Sequence, residues 1–366
     1  VDILVLKPGR RTLDYACMRS GQNCPVLSER IDDSHVLSAG EDALSRVLER
    51  VQEEIQRAGT FPGPDAIAVR VLFGGPIFQG PAVATPEVLR RLESLIPRAP
   101  LHLPLVLSLV EGCRKVFPET PVVLVFETAF FAQLPPREAL YGLSTEFQKT
   151  AGIRRYGFNG LFHETACRYV NRARQRKDLG TPARILSLCL EPQPEVAAVA
   201  GKRPLMVTSG VTPLEGIPGQ TTSGEIDPTI LLSLVQDLGW GPEQINALLT
   251  EQSGLQGLVG EPVTVDTVLR SEDEKHRLAR EVLQYRFLLA CGAGIAALSG
   301  LDALVFSGRY AAAGEVLGPW LLSRLSGVAE VRAHQVSCDC FRESLDWAIA
   351  DIAAAEVLPL LCRACA

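Results

Sequence analysis

The chain has 366 residues, of which 47% are hydrophobic and 21% charged. This composition fits a globular protein of two or three domains and excludes disordered, collagen-like and coiled-coil classes. Lys plus Arg is 36 against 42 for Asp plus Glu, a net charge of -6, which argues against sequence-independent nucleic-acid binding.

Val1–Leu6 is too short for a secretory h-region, and Lys7, Arg10 and Arg11 follow it at once. The β-branched runs Ile3–Leu6, Ala66–Leu72, Val122–Phe126, Ile185–Leu190, Val196–Ala200 and Ala303–Phe306 predict strands. They alternate with helical periodicity, the pattern of α/β architecture. The clearest helix is Glu41–Arg57, with Leu44, Val47, Leu48, Val51 and Ile55 on one stripe. Ser38 and Glu41 have capping-box spacing, and Gly59 ends the run. A second helix runs from His276 to about Leu298 and a third from about Glu343 to Val357. The longest uncharged apolar run lies between Arg286 and Asp302, shorter than the ~20 residues of a spanning helix. It contains Gly292, Gly294 and Gly300 and reads as a buried, closely packed helix. The polar stretch Asn171–Pro182 reads as a domain boundary or as a surface loop, and no internal repeat is visible.

Several segments resemble the acetokinase family. Val123-Leu-Val-Phe-Glu-Thr-Ala-Phe130, followed by Leu134-Pro-Pro136, is similar to the family's V-F-D-T-A-F-H…M-P signature. Gly152-Ile-Arg-Arg-Tyr-Gly-Phe-Asn-Gly160 with His163 resembles G-[IV]-R-[KR]-Y-G-F-H-G-T-S-H. Thr212-Pro-Leu-Glu-Gly216 and Ser223-Gly-Glu-Ile-Asp-Pro228 resemble T-P-L-E-G…G-T-R-[CS]-G-x-[IL]-D-P. Shorter echoes are Glu41-Asp-Ala-Leu44, Arg70-Val-Leu-Phe-Gly-Gly75, Ala99-Pro-Leu-His102 and Ser253-Gly-Leu255. The resemblance implies the α/β, two-domain acetate and sugar kinase/Hsp70/actin-like fold with a central cleft. It implies an N-terminal domain over residues 1–150, joined by a C-terminal helix over 345–366, and a second domain over 151–344 that carries the nucleotide side and a dimer interface.

The family transfers the γ-phosphoryl of ATP to acetate or propionate. On that register Arg70 faces the acceptor carboxylate, while Leu72, Leu101, Phe158 and Pro213 match an apolar acyl pocket. An arginine beside an apolar slot suits a short carboxylic acid. The catalytic centre departs from the pattern: Glu127 stands for Asp, Asn159 for His and Thr222 for Arg. Loss of such a transition-state arginine can cost on the order of 10³–10⁵ in rate. Glu343, in Arg342-Glu-Ser-Leu345, aligns with a metal-associated carboxylate.

The nucleotide end departs further. The phosphate loop reads Lys7-Pro-Gly-Arg-Arg-Thr-Leu-Asp14; Gly9 and Thr12 remain, and its three cations read as solvated or as a new anion contact. The family's glycine turn has become Cys189-Leu-Glu-Pro-Gln-Pro194, where proline removes backbone donors and Glu191 would repel phosphate. Its adenosine loop is replaced by Ser307-Gly-Arg-Tyr-Ala311. Cys338-Asp-Cys340 and Cys362-Arg-Ala-Cys365 could supply four thiolates to zinc or an iron–sulfur cluster, or be ordinary thiols in a reducing cytosol. His163 reads as a structural hydrogen-bonding residue, and no Ser/His/Asp elbow is present.

The expectation is therefore an acetokinase-family protein with weak or no catalysis. It would keep a small-carboxylate pocket and serve as a binding, regulatory or scaffold subunit, with no tightly bound cofactor. The alternatives are an active divergent carboxylate kinase using Mg-ATP, and a thiol or metal protein built on the late cysteines. Expected partners are a small carboxylate or acyl compound, a second copy of the chain and a protein partner, with neither nucleic acid nor membrane. The expected location is the cytoplasm.

Overall fold

A computed structural model describes residues 1–9, 12–19, 22–32, 41–177, 182–327, 336–342 and 345–364, without the side chains of 41–43 and 360–364. The chain divides into two compact units, Val1–Ala132 with Glu343–Ala366, and Gln133–Arg342. The short helices Pro136–Ala139 and Thr145–Ala151 thus belong to the second unit.

The first unit is built on a sheet of β1 (Asp2–Pro8), β2 (Thr12–Arg19), β3 (Leu27–Asp32), β4 (Ala66–Val71), β5 (Ala82–Val83) and β6 (Val122–Phe126), in the order β3-β2-β1-β4-β6-β5. β1 is antiparallel to β2 and parallel to β4, which is parallel to β6. All five residues of β6 are buried, as expected for a parallel strand covered on both faces. Helix Glu41–Ala58 places Leu44, Val47, Leu48, Val51 and Ile55 in the core and packs on helix Leu103–Val116. A Cβ at Gly112 would meet the Leu48 side chain at 3.0 Å, so glycine lets the two helices approach. The C-terminal helix Leu345–Ala364 packs on β1, β4 and β6. Ser38 and Arg10, Arg11 lie outside the described residues.

The second unit carries β7 (Arg184–Cys189), β8 (Glu195–Ala200), β9 (Arg203–Val207), β10 (Ala303–Ser307) and β11 (Ser337–Cys340), ordered β11-β10-β7-β8-β9. An antiparallel meander again adds parallel strands beside its first member, so the two sheets share one connectivity apart from the antiparallel edge strand β5 of the first. Helix Arg277–Leu298 buries Leu283, Phe287, Cys291 and Ile295 in a core that includes Leu186, Val196, Leu304 and Phe306. With the preceding turn, Glu274–Leu298 is long and apolar enough to cross a membrane by length and composition alone. The close packing expected of its glycines holds at one of them. A Cβ at Gly294 would meet Leu186 at 2.5 Å, whereas one at Gly292 would meet nothing within 4 Å.

Sequence patterning missed β2, β3, β5, β9 and β11. β3 reads Leu-Ser-Glu-Arg-Ile-Asp and β9 contains Pro204, so neither has strand propensity. Each is held by ladder bonds to a neighbour, where pairing overrides propensity.

Candidate functional site

In the first unit, the carboxyl ends of the adjacent parallel strands β4 and β6 present Arg70 and Glu127, where an open α/β sheet binds ligands. Arg70 Nε donates to Glu127 Oε1 at 2.5 Å; the Glu127 carboxylate is fully buried and the Arg70 side chain 22% exposed. Thr128 Oγ1 accepts from Gly74 N–H at 2.9 Å, tying the loop after β4 to the turn after β6. That loop runs close: a Cβ at Gly74 would lie 2.8 Å from the Phe126 ring. Leu72 is half-buried and donates its N–H to His102 Nε2 at 3.0 Å, whereas Leu101 is 65% exposed.

His102 had no role in the sequence reading, although it closes the Ala99-Pro-Leu-His102 echo. Burial, then the Arg70 charge, pushes its imidazole down to about 4. The unfolded imidazole titrates near ~6.5, so from about pH 6.5 down to about pH 4 the unfolded chain binds the extra proton and native stability falls with pH. Urea midpoints are expected to drop across that window in the native chain and less steeply in His102→Gln. Equal slopes would assign the loss to other groups.

The described phosphate-loop positions lie at the paired ends of the antiparallel strands β1 and β2. Gly9 N–H donates to Thr12 O at 2.8 Å, and a Cβ at Gly9 would meet Thr12 Oγ1 at 2.8 Å. Lys7 is not a solvated cation, because its ammonium pairs with Asp346 of the C-terminal helix at 2.5 Å. Glu343 lies outside the described residues.

In the second unit, Phe158 and Asn159 form the turn that opens helix Gly160–Arg176. Their N–H groups donate to Glu195 Oε2 and Oε1, each at 3.0 Å. His163 contacts Glu195 Oε1 through Nε2 at 3.1 Å and Ser187 Oγ through Nδ1 at 2.8 Å. Burial opposes ionisation of Glu195, yet hydrogen bonds from His163, Ser209 and the Asn159 N–H hold its carboxyl below the ordinary value. Ser187, His163 and Glu195 form a serine–histidine–carboxylate chain with zero exposure at each member, so it positions the Phe158–Asn159 turn and meets no substrate. Glu195 escaped sequence reading because its partners Phe158, Asn159, His163 and Ser209 lie 37, 36, 32 and 14 positions away in the chain.

Pro213 is exposed, and the Thr222 hydroxyl donates to the Gln193 carboxamide oxygen. Gln193 in turn donates to Ile217 O at 3.0 Å, and Gln220 N–H donates to Pro192 O at 2.7 Å. Glu191 accepts from the Arg309 N–H at 2.6 Å. The segment replacing the glycine turn is therefore bonded both to the Thr222 loop and to the turn after β10.

Cys338 and Cys340 lie on β11, while Cys362 falls among residues whose side chains are not described and Cys365 outside the described residues. Partial burial pushes the Cys338 thiol up to about 11. Among the described residues no three His, Cys, Asp or Glu side chains converge on a metal position.

The two sheets, each a meander extended by parallel strands, define a mixed α/β protein of two sheet-based units with charged groups at the carboxyl ends of parallel strands. Residues 27–316 match the sequence profile of the acetokinase family. An acetate kinase of Thermosipho africanus is 33% identical over 332 residues, 83% of this chain and 80% of the relative. An acetate kinase of Syntrophobacter fumaroxidans is 37% identical over 244 residues, 65% of this chain but 58% of the relative's length. A propionate kinase structure from Francisella tularensis superposes with a TM-score of 0.82 at 23% identity, covering 96% of this chain and 98% of that one. The Porphyromonas gingivalis acetate kinase structure gives 0.78 at 25%, covering 98% and 99%. The chain belongs to the acetokinase family.

Proposed function

We propose that the chain is a short-chain carboxylate kinase, taking acetate- or propionate-sized acids as phosphoryl acceptors and Mg-ATP as donor, and releasing an acyl phosphate. The observation that carries this is the Arg70–Glu127 pair at the carboxyl ends of β4 and β6. Arg70 is the cation for the acceptor carboxylate, and Leu72 supplies apolar cover for its alkyl group. Mg²⁺ bound to the donor phosphates would need only one or two protein carboxylates; Glu343 takes that part in this reading, while the buried Glu127 orients the Arg70 guanidinium. The acyl role falls to the first unit, with residues 1–132 and the C-terminal helix, and the donor role to the second. The relatives' names support the reaction class, and the exchange of Arg and His for Thr222 and Asn159 lowers its rate by removing cationic stabilisation of the transferred phosphoryl group. A cytoplasmic homodimer accords with this reading.

A second reading, binding without transfer as a regulatory or scaffold subunit, draws on one observation: Glu191, Pro192 and Pro194 stand after β7 where a phosphate-facing turn needs free backbone donors. Trapping acyl phosphate as hydroxamate from ATP, Mg²⁺ and acetate or propionate tests both. Product that vanishes in Glu127→Gln supports the kinase. No product at millimolar acid, with acid binding intact, supports the second reading.

A further inference from the structure

Strands β7 and β10 are parallel neighbours, with Ser307 of β10 registered against Cys189 of β7. Their carboxyl ends lead into 190–194 and 308–311, the edge of an open α/β sheet where ligands bind. Gly308 adopts φ +87°, and a Cβ there would meet the Leu190 backbone at 3.0 Å and Cys189 Sγ at 3.1 Å. The positive φ at Gly308 brings the N–H groups that follow it against the segment after β7. Two of those donors are already used: Tyr310 N–H goes to Leu190 O at 2.9 Å and Arg309 N–H to Glu191 Oε1 at 2.6 Å. The Arg309 guanidinium stands 4.0 Å from the other carboxylate oxygen, with Arg309 53% exposed and Glu191 20%. Ser307, the last residue of β10, has a fully buried Oγ with no hydrogen-bond partner.

We infer that Glu191 is a built-in anion: its carboxylate takes the Arg309 amide and faces the Arg309 guanidinium in place of a phosphate group. It thereby determines how tightly this end of the second sheet holds the phosphate of the donor. Glu191 lies between Leu190, bonded to the turn after β10, and Pro192, bonded to the loop of Thr222. The carboxylate is therefore held against the turn by its own backbone. A phosphate entering here finds the Arg309 amide already taken by Glu191 and meets the like charge of its carboxylate. With Glu191 neutralised, the same turn offers an amide and a guanidinium. This rests on the kinase reading only for the identity of the donor; competition for the turn stands without it.

The test is calorimetry on the full chain and on Glu191→Gln and Glu191→Gly, titrated separately with inorganic phosphate and with Mg-ADP, together with amide exchange of the 307–311 segment. Glu191→Gln is expected to bind both at least tenfold more tightly than the native chain, a difference of about 1.4 kcal/mol. Its Arg309 amide should exchange faster when free and slow again on adding phosphate. Since a gain of binding cannot come from misfolding, Gln is the primary variant. If Gln destabilises the turn, the phosphate-dependent protection in Glu191→Gly decides. Equal or weaker binding of both ligands, or a gain for ADP without one for phosphate, overturns the assignment. Tighter phosphate binding in a chain that never forms acyl hydroxamate upholds this inference while removing the kinase reading. Acyl hydroxamate formation by the native chain with no gain in Glu191→Gln does the reverse.

Discussion

Arg70→Ala is expected to lower stability by about 3–5 kcal/mol, because it strands a fully buried Glu127 carboxylate beside the vacated cation position. It should also abolish binding of acetate and propionate. The native affinity is modest: a charge-assisted hydrogen bond is worth ~1.5–3 kcal/mol and each buried methylene ~0.8 kcal/mol. Immobilising the acid takes back several kcal/mol, so millimolar affinity is the ceiling. Arg70→Ala combined with Glu127→Ala separates the two effects. With both charges gone, no unpaired buried ion remains, and much of the lost stability should return while acid binding does not. Urea midpoints and calorimetry with propionate read the two quantities on the same samples. Acid binding that survives in the double variant would remove Arg70 from the acceptor role.

Glu195→Ala carries the second large effect. One buried carboxylate accepts from Phe158 N–H, Asn159 N–H and Ser209, and contacts His163. Its removal leaves two backbone donors and the imidazole buried without that partner, at about 1–3 kcal/mol for each unsatisfied group. A total loss near 4 kcal/mol is expected in urea unfolding, and Glu195→Gln, which keeps one acceptor oxygen, should lose about half. Because the folded carboxyl titrates below its ordinary value, its share of stability is present above the unfolded pKa of ~4.5 and disappears as pH falls through the folded value. The acid limb of the stability profile should therefore flatten in Glu195→Gln. A variant with full native stability would show that the Phe158–Asn159 turn is held by other contacts.

The strands that could be read in advance are those with hydrophobic runs. β1, β4, β6, β7, β8 and β10 lie in covered positions, where nearly every side chain is buried and the composition of the strand announces it. The helices Glu41–Ala58 and Arg277–Leu298 announced themselves through periodicity for the same reason. Edge and meander strands gave no such signal. β11 is Ser-Cys-Asp-Cys, a strand only because β10 lies beside it. Arg70 and Glu127 were legible through family-like motifs, since each sits within a hydrophobic strand or just after one. His102 and Glu195 were not, because a histidine acceptor and a buried carboxylate are defined by partners distant in the chain.

By itself, then, the sequence determined an α/β chain of the acetokinase family, the strands of its two sheets with buried faces, and the replacements Glu127, Asn159 and Thr222. These are local properties: hydrophobic patterning and residue identity at motif positions need no coordinates. The tertiary structure decided that both sheets, apart from edge strand β5, repeat one connectivity despite no repeated sequence, since strand order depends on hydrogen-bond pairing across long separations. It paired Lys7 with Asp346, although 339 positions of chain separate them, and so replaced a solvated cation by a packed one. It also placed the Glu191 carboxylate on the Arg309 amide. The sequence showed a charge unsuited to phosphate; only the folded turn revealed which donor that charge consumes, because hydrogen bonding is set by distance in space.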